Sequence, residues 1–405
     1  MVEILLEGLR ADARFEVHHV DARVSDDLED VGSFRPQKII RLFKCILQAW
    51  WLRLRHGPMA FYYVPAPAKR SAIIRDWVVM AFCRPLFPEL ILHWHAYGLG
   101  EWASEGNDWS RKLTRWALRK ADLSIVLNNY NKRDAAVFEP KRIEVVPNGI
   151  ADQFPDYETA LAPKRKNRAT ALKALHAVAG NESRVAGEEI ANLETVRFLF
   201  LGHLIETKGV FVAIEATGLA NEELRRAGAA WRAHLTLAGS FASGDEKRRV
   251  VAAMEKVNSD GKKWEGEKVG KWEGTKAADN EGVCVELVGF LNSVQKKSAL
   301  EEADCLVFPT FYEGETQGLV LLEAMSSGLP VITTSWRGVP EILPEGYCGV
   351  ATPRSAAEFA QQMLRVNEFQ LSDGLRAHFN GRLDTKKHLC RLLVLLLGKA
   401  SREQV

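Results

Sequence analysis

The chain has 405 residues, 47% of them hydrophobic, and a formal net charge of +2. That length exceeds one ordinary core and predicts two folded domains, while the near-neutral balance gives no global pointer to nucleic acid. Cys45, Cys83, Cys284, Cys305, Cys348 and Cys390 form no C-x-x-C pair and mostly stand in apolar runs, which argues against a disulfide framework or zinc site and for reduced, buried thiols in a cytoplasmic protein.

The opening MVEILLEGLRADARFEV carries acids early and has no basic segment before an apolar stretch, so no signal peptide is expected. Val2 to Arg10 reads as a short amphipathic helix, and FEVHHV (Phe15 to Val20) as a strand. A longer helix is expected from Arg35 to Arg55, a strand at Phe61 to Val64, a helix at Ala72 to Phe82 and a strand over Glu89 to His95. The run WVVMAFCRPLFPELILHWHA is broken by Arg84, Pro85, Pro88 and Glu89, too often for a membrane span. Trp109 to Lys120 is helical, LSIVL (Leu123 to Leu127) a strand, Asn131 to Val137 a short helix, and RIEVVPNGI closes the unit. Strands alternating with helices imply βαβ units and a parallel sheet. The expected first domain is 1–150.

Residues 151–193 are polar and read as a linker with a helical piece. A second α/β set opens with VRFLFLG (Val196 to Gly202) and continues with LTLAG (Leu235), VCVELVG (Val283), DCLVFPT (Asp304) and LPVITT (Leu329). Its domain is expected over 194–375. The tandem copies KWEGEKVG at Lys263 and KWEGTK at Lys271 read as a surface insertion around 258–280. Ser355 to Leu397 is helical, with a final helix over 376–405.

Between DCLVFPT and LPVITT, a Gly-rich turn, FYEGETQG, leads into LVLLEAMSSG. The helix is expected to begin at Thr316 or Gln317 and to stop at Gly328, just before Pro330. Its open N–H groups and dipole make an anion site. Glu323 then lies roughly 10 Å along the helix by the 1.5 Å rise, and Glu315 stands in the turn. Two carboxylates flanking an anion site suit a ligand with a charged centre and hydroxylated ends, the shape of a nucleotide-diphosphate sugar. Spacing alone favours a capped helix with two solvated glutamates.

ETQGLVLLE, SGLPVITT and GVPEI together resemble the Glu-x7-Glu signature and following strand and turn of retaining GT-B glycosyltransferases of the group 1 (family 4) class. FLGHLIETKGV, VVPNGI, VGFLNSVQKKSALEEADCLVFPT and RLDTKKHLCRLLVLLL are similar to further segments of that family. The resemblance runs from about Ala11 to Leu397 and implies two Rossmann-like α/β domains with mostly parallel sheets facing across a cleft, the last helix crossing back to the first domain. It implies that Glu323 binds the donor ribose and that Glu315 contacts the transferred sugar. Backbone N–H groups at Gln317, Gly318 and Leu319 would assist, and Lys208, after Gly202 in the loop, would hold the diphosphate. His203 stands where the family usually has Arg; histidine is only part charged near neutral pH, so it is expected to be a weaker phosphate ligand and to make activity pH-sensitive. His95, at a strand end, is the expected sugar contact, with His93 deeper in the sheet.

Two features compete with this reading. GLGEWA (Gly98 to Ala103) fits a dinucleotide fingerprint after a strand, which would make an oxidoreductase, but Asp122 opens its strand instead of closing it. VEILLEGL resembles the helix that follows the family's first strand and Gly-rich loop, so both are expected to be missing, leaving a sheet edge open. The alternative function is therefore a catalytically impaired relative that binds a nucleotide sugar. PQKIIRLFKCILQAWWLRLRH places Lys38, Arg41, Lys44, Gln48 and Arg55 on one face and Ile39, Phe43, Ile46, Leu47, Trp50 and Leu54 on the other. It reads as an ordinary domain helix or as a peripheral membrane contact at the inner face of a membrane. The expected reaction is transfer of a sugar from a nucleotide-diphosphate donor to a hydroxyl on a glycan, lipid-linked or small-molecule acceptor. No metal or cofactor is expected.

Overall fold

The computed structural model describes residues 2–22, 36–177, 195–258, 283–368 and 372–400; the KWEG copies fall outside them. The chain divides into two compact units, Met1–Gly149 with Glu313–Gln317 and Thr385–Val405, and Ile150–Tyr312 with Gly318–Asp384. Among the described residues, no helix is long and apolar enough to cross a membrane.

In the first unit, β1 (Ala60–Tyr63), β2 (Glu89–Trp94), β3 (Leu123–Val126) and β4 (Ile143–Val145) form one parallel sheet in that order. Alternation sends Leu90, Leu92 and Trp94 to one face and Ile91 to the other. The first face packs on α2 (Pro36–His56), α3 (Arg70–Cys83), α4 (Leu99–Ser104) and α5 (Trp109–Leu118). The second meets α1 (Val2–Ala11) and the final helix through Leu5, Leu9 and Leu392. The expected strand at Phe15–Val20 pairs with no strand among the described residues. Its side chains dock it: Phe15 and Val17 pack on the cluster of Leu5, Leu9 and Leu392, and Val20 on the opposite one.

The second unit holds β5 (Thr195–Leu201), β6 (Arg232–Ala238), β7 (Val285–Gly289), β8 (Cys305–Phe308), β9 (Val331–Thr334) and β10 (Val350–Ala351). All pair in parallel, in the order β10-β9-β8-β5-β6-β7. The short helix α6 (Lys132–Ala136) of the first unit precedes this set, as does α7 (Ala162–Ala177). After β5 the chain winds first to one side and then returns to the other, so β5 and β8 bound a topological switch point. In open α/β sheets, ligands bind outside the carboxyl ends of the strands at such a point. Further helices are α8 (Val210–Arg226), α9 (Gly244–Val257), α10 (Ser293–Glu302), α11 (Leu319–Ser326), α12 (Ala356–Leu364), α13 (Ser372–His378) and α14 (Thr385–Ala400).

Residues 151–177 are not a linker. Phe154, Tyr157, Leu161, Leu172 and Leu175 are buried in the second unit's core, each worth roughly 1.5–3 kcal/mol over an exposed position. Arg165 is buried as well and donates to the carbonyls of Leu300, Ala303 and Ser327 at 2.5, 2.5 and 3.3 Å. Its polar composition disguised a docked segment. The helical stretch after Ser355 is likewise broken: α13 and a π-helical turn at Phe379–Leu383 stay with the second unit, and the chain changes unit at Thr385. Of the thiols, Cys83 and Cys305 are buried, whereas Cys348 and Cys390 are exposed on turns and the last helix; none is paired.

Candidate functional site

At the carboxyl end of β5, Gly202 has φ +150° and faces Gly239 at the end of β6 (φ +155°). A Cβ on Gly239 would lie 1.7 Å from the Gly202 carbonyl oxygen, so the two loops cross where only glycine fits. His203 follows, exposed, its Nδ1 3.2 Å from Ser240 Oγ. Glu206 to Lys208 make one 3-10 turn closed by Gly209 in the left-handed region, φ +82°. That places the Lys208 ammonium 5.7 Å from the ring centre of Phe308 and 5.0 Å from that of Tyr312. A backbone bond from Phe311 N–H to Thr207 O, 2.8 Å, ties this loop to the one after β8.

The helix after β8 starts later than expected. Gly318 sits at its N-cap with φ +68° and α11 begins at Leu319. Thr316 and Gln317 are held in the first unit instead: Thr316 Oγ1 donates to His95 O at 3.2 Å, and Asn128 Nδ2 to Thr316 O at 2.5 Å. The Asn148 N–H donates to Gln317 Oε1 at 2.9 Å. Gln317 is thus a buried side-chain clamp, its Nε2 without a protein hydrogen bond, rather than an open donor contact. The later start puts Glu323 about 6 Å from the first helical residue by the 1.5 Å rise, not 10 Å. Its carboxylate is half-buried and pairs with Lys296 Nζ on α10 at 2.6 Å. Gly318 packs on Phe308, where a Cβ would come within 2.8 Å of the ring. One phenyl ring therefore contacts both the lysine and the N-terminus of α11 at the switch point. A cation and a helix N-terminus around one wall suit an anionic group. Leu319 is exposed.

In the first unit His95 follows β2, half-buried beside His93, with ring centres 4.2 Å apart. Burial, with the nearby His388, pulls the His95 pKa down to about 4, so its imidazole is neutral at physiological pH and can both donate and accept. His93 is fully interior, hydrogen-bonded at Nδ1 to the Tyr62 hydroxyl, and burial pushes its pKa well down too. It is part of the sheet's packing. Glu315 is half-buried in the first unit's 313–317 segment.

GLGEWA is occupied by the protein itself. Asp134 on α6 accepts from Gly98 N–H at 3.2 Å and Glu101 N–H at 2.8 Å. A Cβ on Gly100 would lie 2.0 Å from Asp134 O. The amides a pyrophosphate needs are taken by this carboxylate, which removes the oxidoreductase reading. Lys296, Asn128 and Asn148 were not anticipated. The two asparagines end strand-like runs, LSIVLN and VVPN, a signal for loop-capping polar groups; Lys296 had no signal beyond lying in a polar helix.

Residues 195–368 match the family described as Glycosyl transferases group 1. Amylovoran biosynthesis glycosyltransferase AmsK of Erwinia amylovora is 36% identical over 90 residues, 21% of this chain and 22% of that protein. The aligned stretches span only about a fifth to a third of such curated relatives. Anabaena Alr3699/HepE, solved in complex with UDP, superposes with a TM-score of 0.58 at 14% identity, covering 89% of this chain and 82% of that one. Sucrose-phosphate synthase from Thermosynechococcus elongatus gives 0.60 at 17% identity over 100% and 92%. With its two parallel-sheet α/β units the chain has the GT-B fold, and its residues 195–368 are similar to the glycosyl transferases group 1 family.

Proposed function

We propose that the protein transfers a hexosyl group from a nucleotide-diphosphate sugar to a hydroxyl acceptor, with retention at the anomeric carbon and without a metal. The observation that carries this is the shared Phe308 wall, which joins Lys208 and the start of α11 at the switch point of the second sheet. Lys208 and His203 take the diphosphate charge, assisted by the amides of Gly318 and Leu319 and the loop at Gly202. Glu323, oriented by Lys296, accepts hydrogen bonds from the ribose hydroxyls. Glu315 and the neutral His95 contact the transferred sugar. The bond from the anomeric carbon to the phosphate oxygen breaks while the acceptor oxygen bonds on the same face. The acceptor's proton passes to the leaving phosphate, and Lys208 neutralises the charge that grows there.

HepE structures hold UDP and UDP-glucose, which makes a uridine donor the first to test. AmsK is named for amylovoran biosynthesis, and a growing glycan, free or lipid-linked, is the acceptor we infer, reached at the inner face of a membrane through α2. A thermal-shift screen with UDP-, GDP-, ADP- and CMP-sugars tests the donor site: a ligand at 100 times its Kd stabilises by about 2.7 kcal/mol. One base class is expected to shift the wild type and not Glu323→Gln, and added magnesium to leave the transfer rate unchanged. No shift at millimolar donor overturns the assignment.

A further inference from the structure

Away from these residues, two extended residues and one helix end converge in the first unit. The turn after α1 is closed by Phe15 N–H on Asp12 O at 3.0 Å and by the Arg14–Asp12 ion pair at 2.6 Å. In the run that follows, Phe15 and Val17 pack on one core cluster and Val20 on the other. Glu16 and His18 alternate with the first pair, Glu16 exposed and His18 half-buried. They meet His56, the last residue of α2, before Gly57 turns the chain at φ +82°. His18 Nε2 and His56 Nδ1 each lie 3.0 Å from the same oxygen, Glu16 Oε1. The two imidazole centres are 4.0 Å apart, and one donor atom from each of the three residues falls within 4.8 Å of the others.

We propose that Glu16, His18 and His56 form a binding site for a divalent transition metal of the zinc class. The donor set is two imidazole nitrogens and a carboxylate oxygen, suited to borderline cations and poor for calcium or magnesium. With metal–ligand lengths near 2.1 Å, two donors 3.0 Å apart subtend about 90° at the metal. That is the angle between adjacent ligands of an octahedron, whose remaining positions would go to water. The cation would also lie at the C-terminal end of α2, the negative pole of its dipole. Its effect is structural: it clamps the run after α1 onto the end of α2. The site does not rest on the transferase reading, because none of its residues belongs to that machinery. Sequence spacing concealed it, since two ligands sit near the start of the chain and the third closes a separate helix.

The test uses tag-free protein, stripped with chelator and desalted, titrated calorimetrically with zinc sulfate and melted with and without the metal. One equivalent is expected to bind saturably and raise Tm. His18→Ala and His56→Ala should each weaken binding roughly tenfold or more, and Glu16→Gln should weaken it. His19→Ala, an exposed neighbour, should bind like the wild type. Cobalt(II) in place of zinc should give the weak visible bands of five or six coordination, lost in His56→Ala. Because the alanine variants also lose an ion pair, their metal-free melts must be cooperative for the comparison to count; Glu16→Gln and the cobalt spectrum of the wild type decide the matter if they are not. Absence of saturable binding at millimolar zinc, wild-type affinity in His18→Ala or His56→Ala, or intense tetrahedral cobalt bands would overturn the site.

Discussion

Glu315, Glu323 and Lys208 were singled out through the resemblance of their motifs to a known family, since spacing alone favoured solvated side chains. Lys296 was not, since it meets Glu323 across 27 positions and a lysine on a polar helix reads as solvated. Its 2.6 Å contact holds the carboxylate that the proposed function assigns to the donor ribose. Lys296→Met should therefore raise the donor KM roughly tenfold, about 1.4 kcal/mol, with kcat changed much less, and Lys296→Arg should restore most of it. Steady-state kinetics with the donor found in the screen checks this; equal losses in kcat and kcat/KM would move Lys296 to the reacting centre. Asp134 was invisible for a different reason: its burial comes from the GLGEWA loop folding over it. Burial raises its pKa to about 6, against backbone hydrogen bonds that lower it. A raised carboxyl contributes stability that is full below its unfolded pKa near 4 and is lost as pH rises through 6. The wild type should lose up to roughly 3 kcal/mol between pH 4 and 7 from this group. Asp134→Asn forfeits one amide contact at every pH but has no such step, so urea melts across that range should show the difference between the two proteins shrinking as pH rises.

At the level of elements, most strands and their parallel pairing followed from short apolar runs, whereas the strand expected at Phe15–Val20 pairs with none. Ends were harder. Nothing local distinguishes Thr316 from Leu319 as a helix start; the difference is made by Asn128, Asn148 and His95 O, all distant in sequence. The same limit hid the docking of α7, whose polar sequence is anchored by Arg165 and by Arg168 on Asp304 at 2.6 Å. Gly209 is the position where local and distant demands coincide. Its φ is +82°, and an added Cβ would lie 2.1 Å from Pro309 O, a backbone atom that cannot swing away. Gly209→Ala should destabilise the protein by roughly 2–4 kcal/mol and weaken donor binding by displacing Lys208. A urea melt together with a donor titration checks both; an unchanged Kd in the folded fraction would separate loop strain from the phosphate contact.

For the whole molecule, a net charge of +2 conceals how charge and apolar surface are distributed. Helix α2 was expected to have one apolar face and one basic face; it has two apolar faces. Leu42, Ile46 and Ala49 are buried on the sheet, with Trp50 fixed by its Nε1 to Phe82 O at 2.9 Å. Ile40, Phe43, Leu47, Trp51 and Leu54, spaced three and four apart, point outward, Leu47 and Leu54 at 60% and 80% exposure. Phe82 and Leu86 extend the patch, and the helix contains no acidic residue among its basic ones. An exposed stripe of this kind is unfavourable in water; with Arg41, Lys44 and Arg55 beside it, it would suit the anionic lipid surface that the proposed function invokes. Each basic residue near such a surface contributes about 1 kcal/mol, screened by salt, and the apolar side chains add a part that salt does not screen. The protein should therefore float with phosphatidylserine-containing vesicles at low salt, retain part of that binding at high salt, and bind neutral vesicles weakly. Leu47→Glu with Trp51→Glu should abolish flotation while leaving the donor-induced thermal shift intact, since neither residue belongs to the donor loops. Binding that vanishes entirely with salt would mean the apolar stripe stays out of the bilayer, and no binding at low salt would remove the membrane from the account of the acceptor.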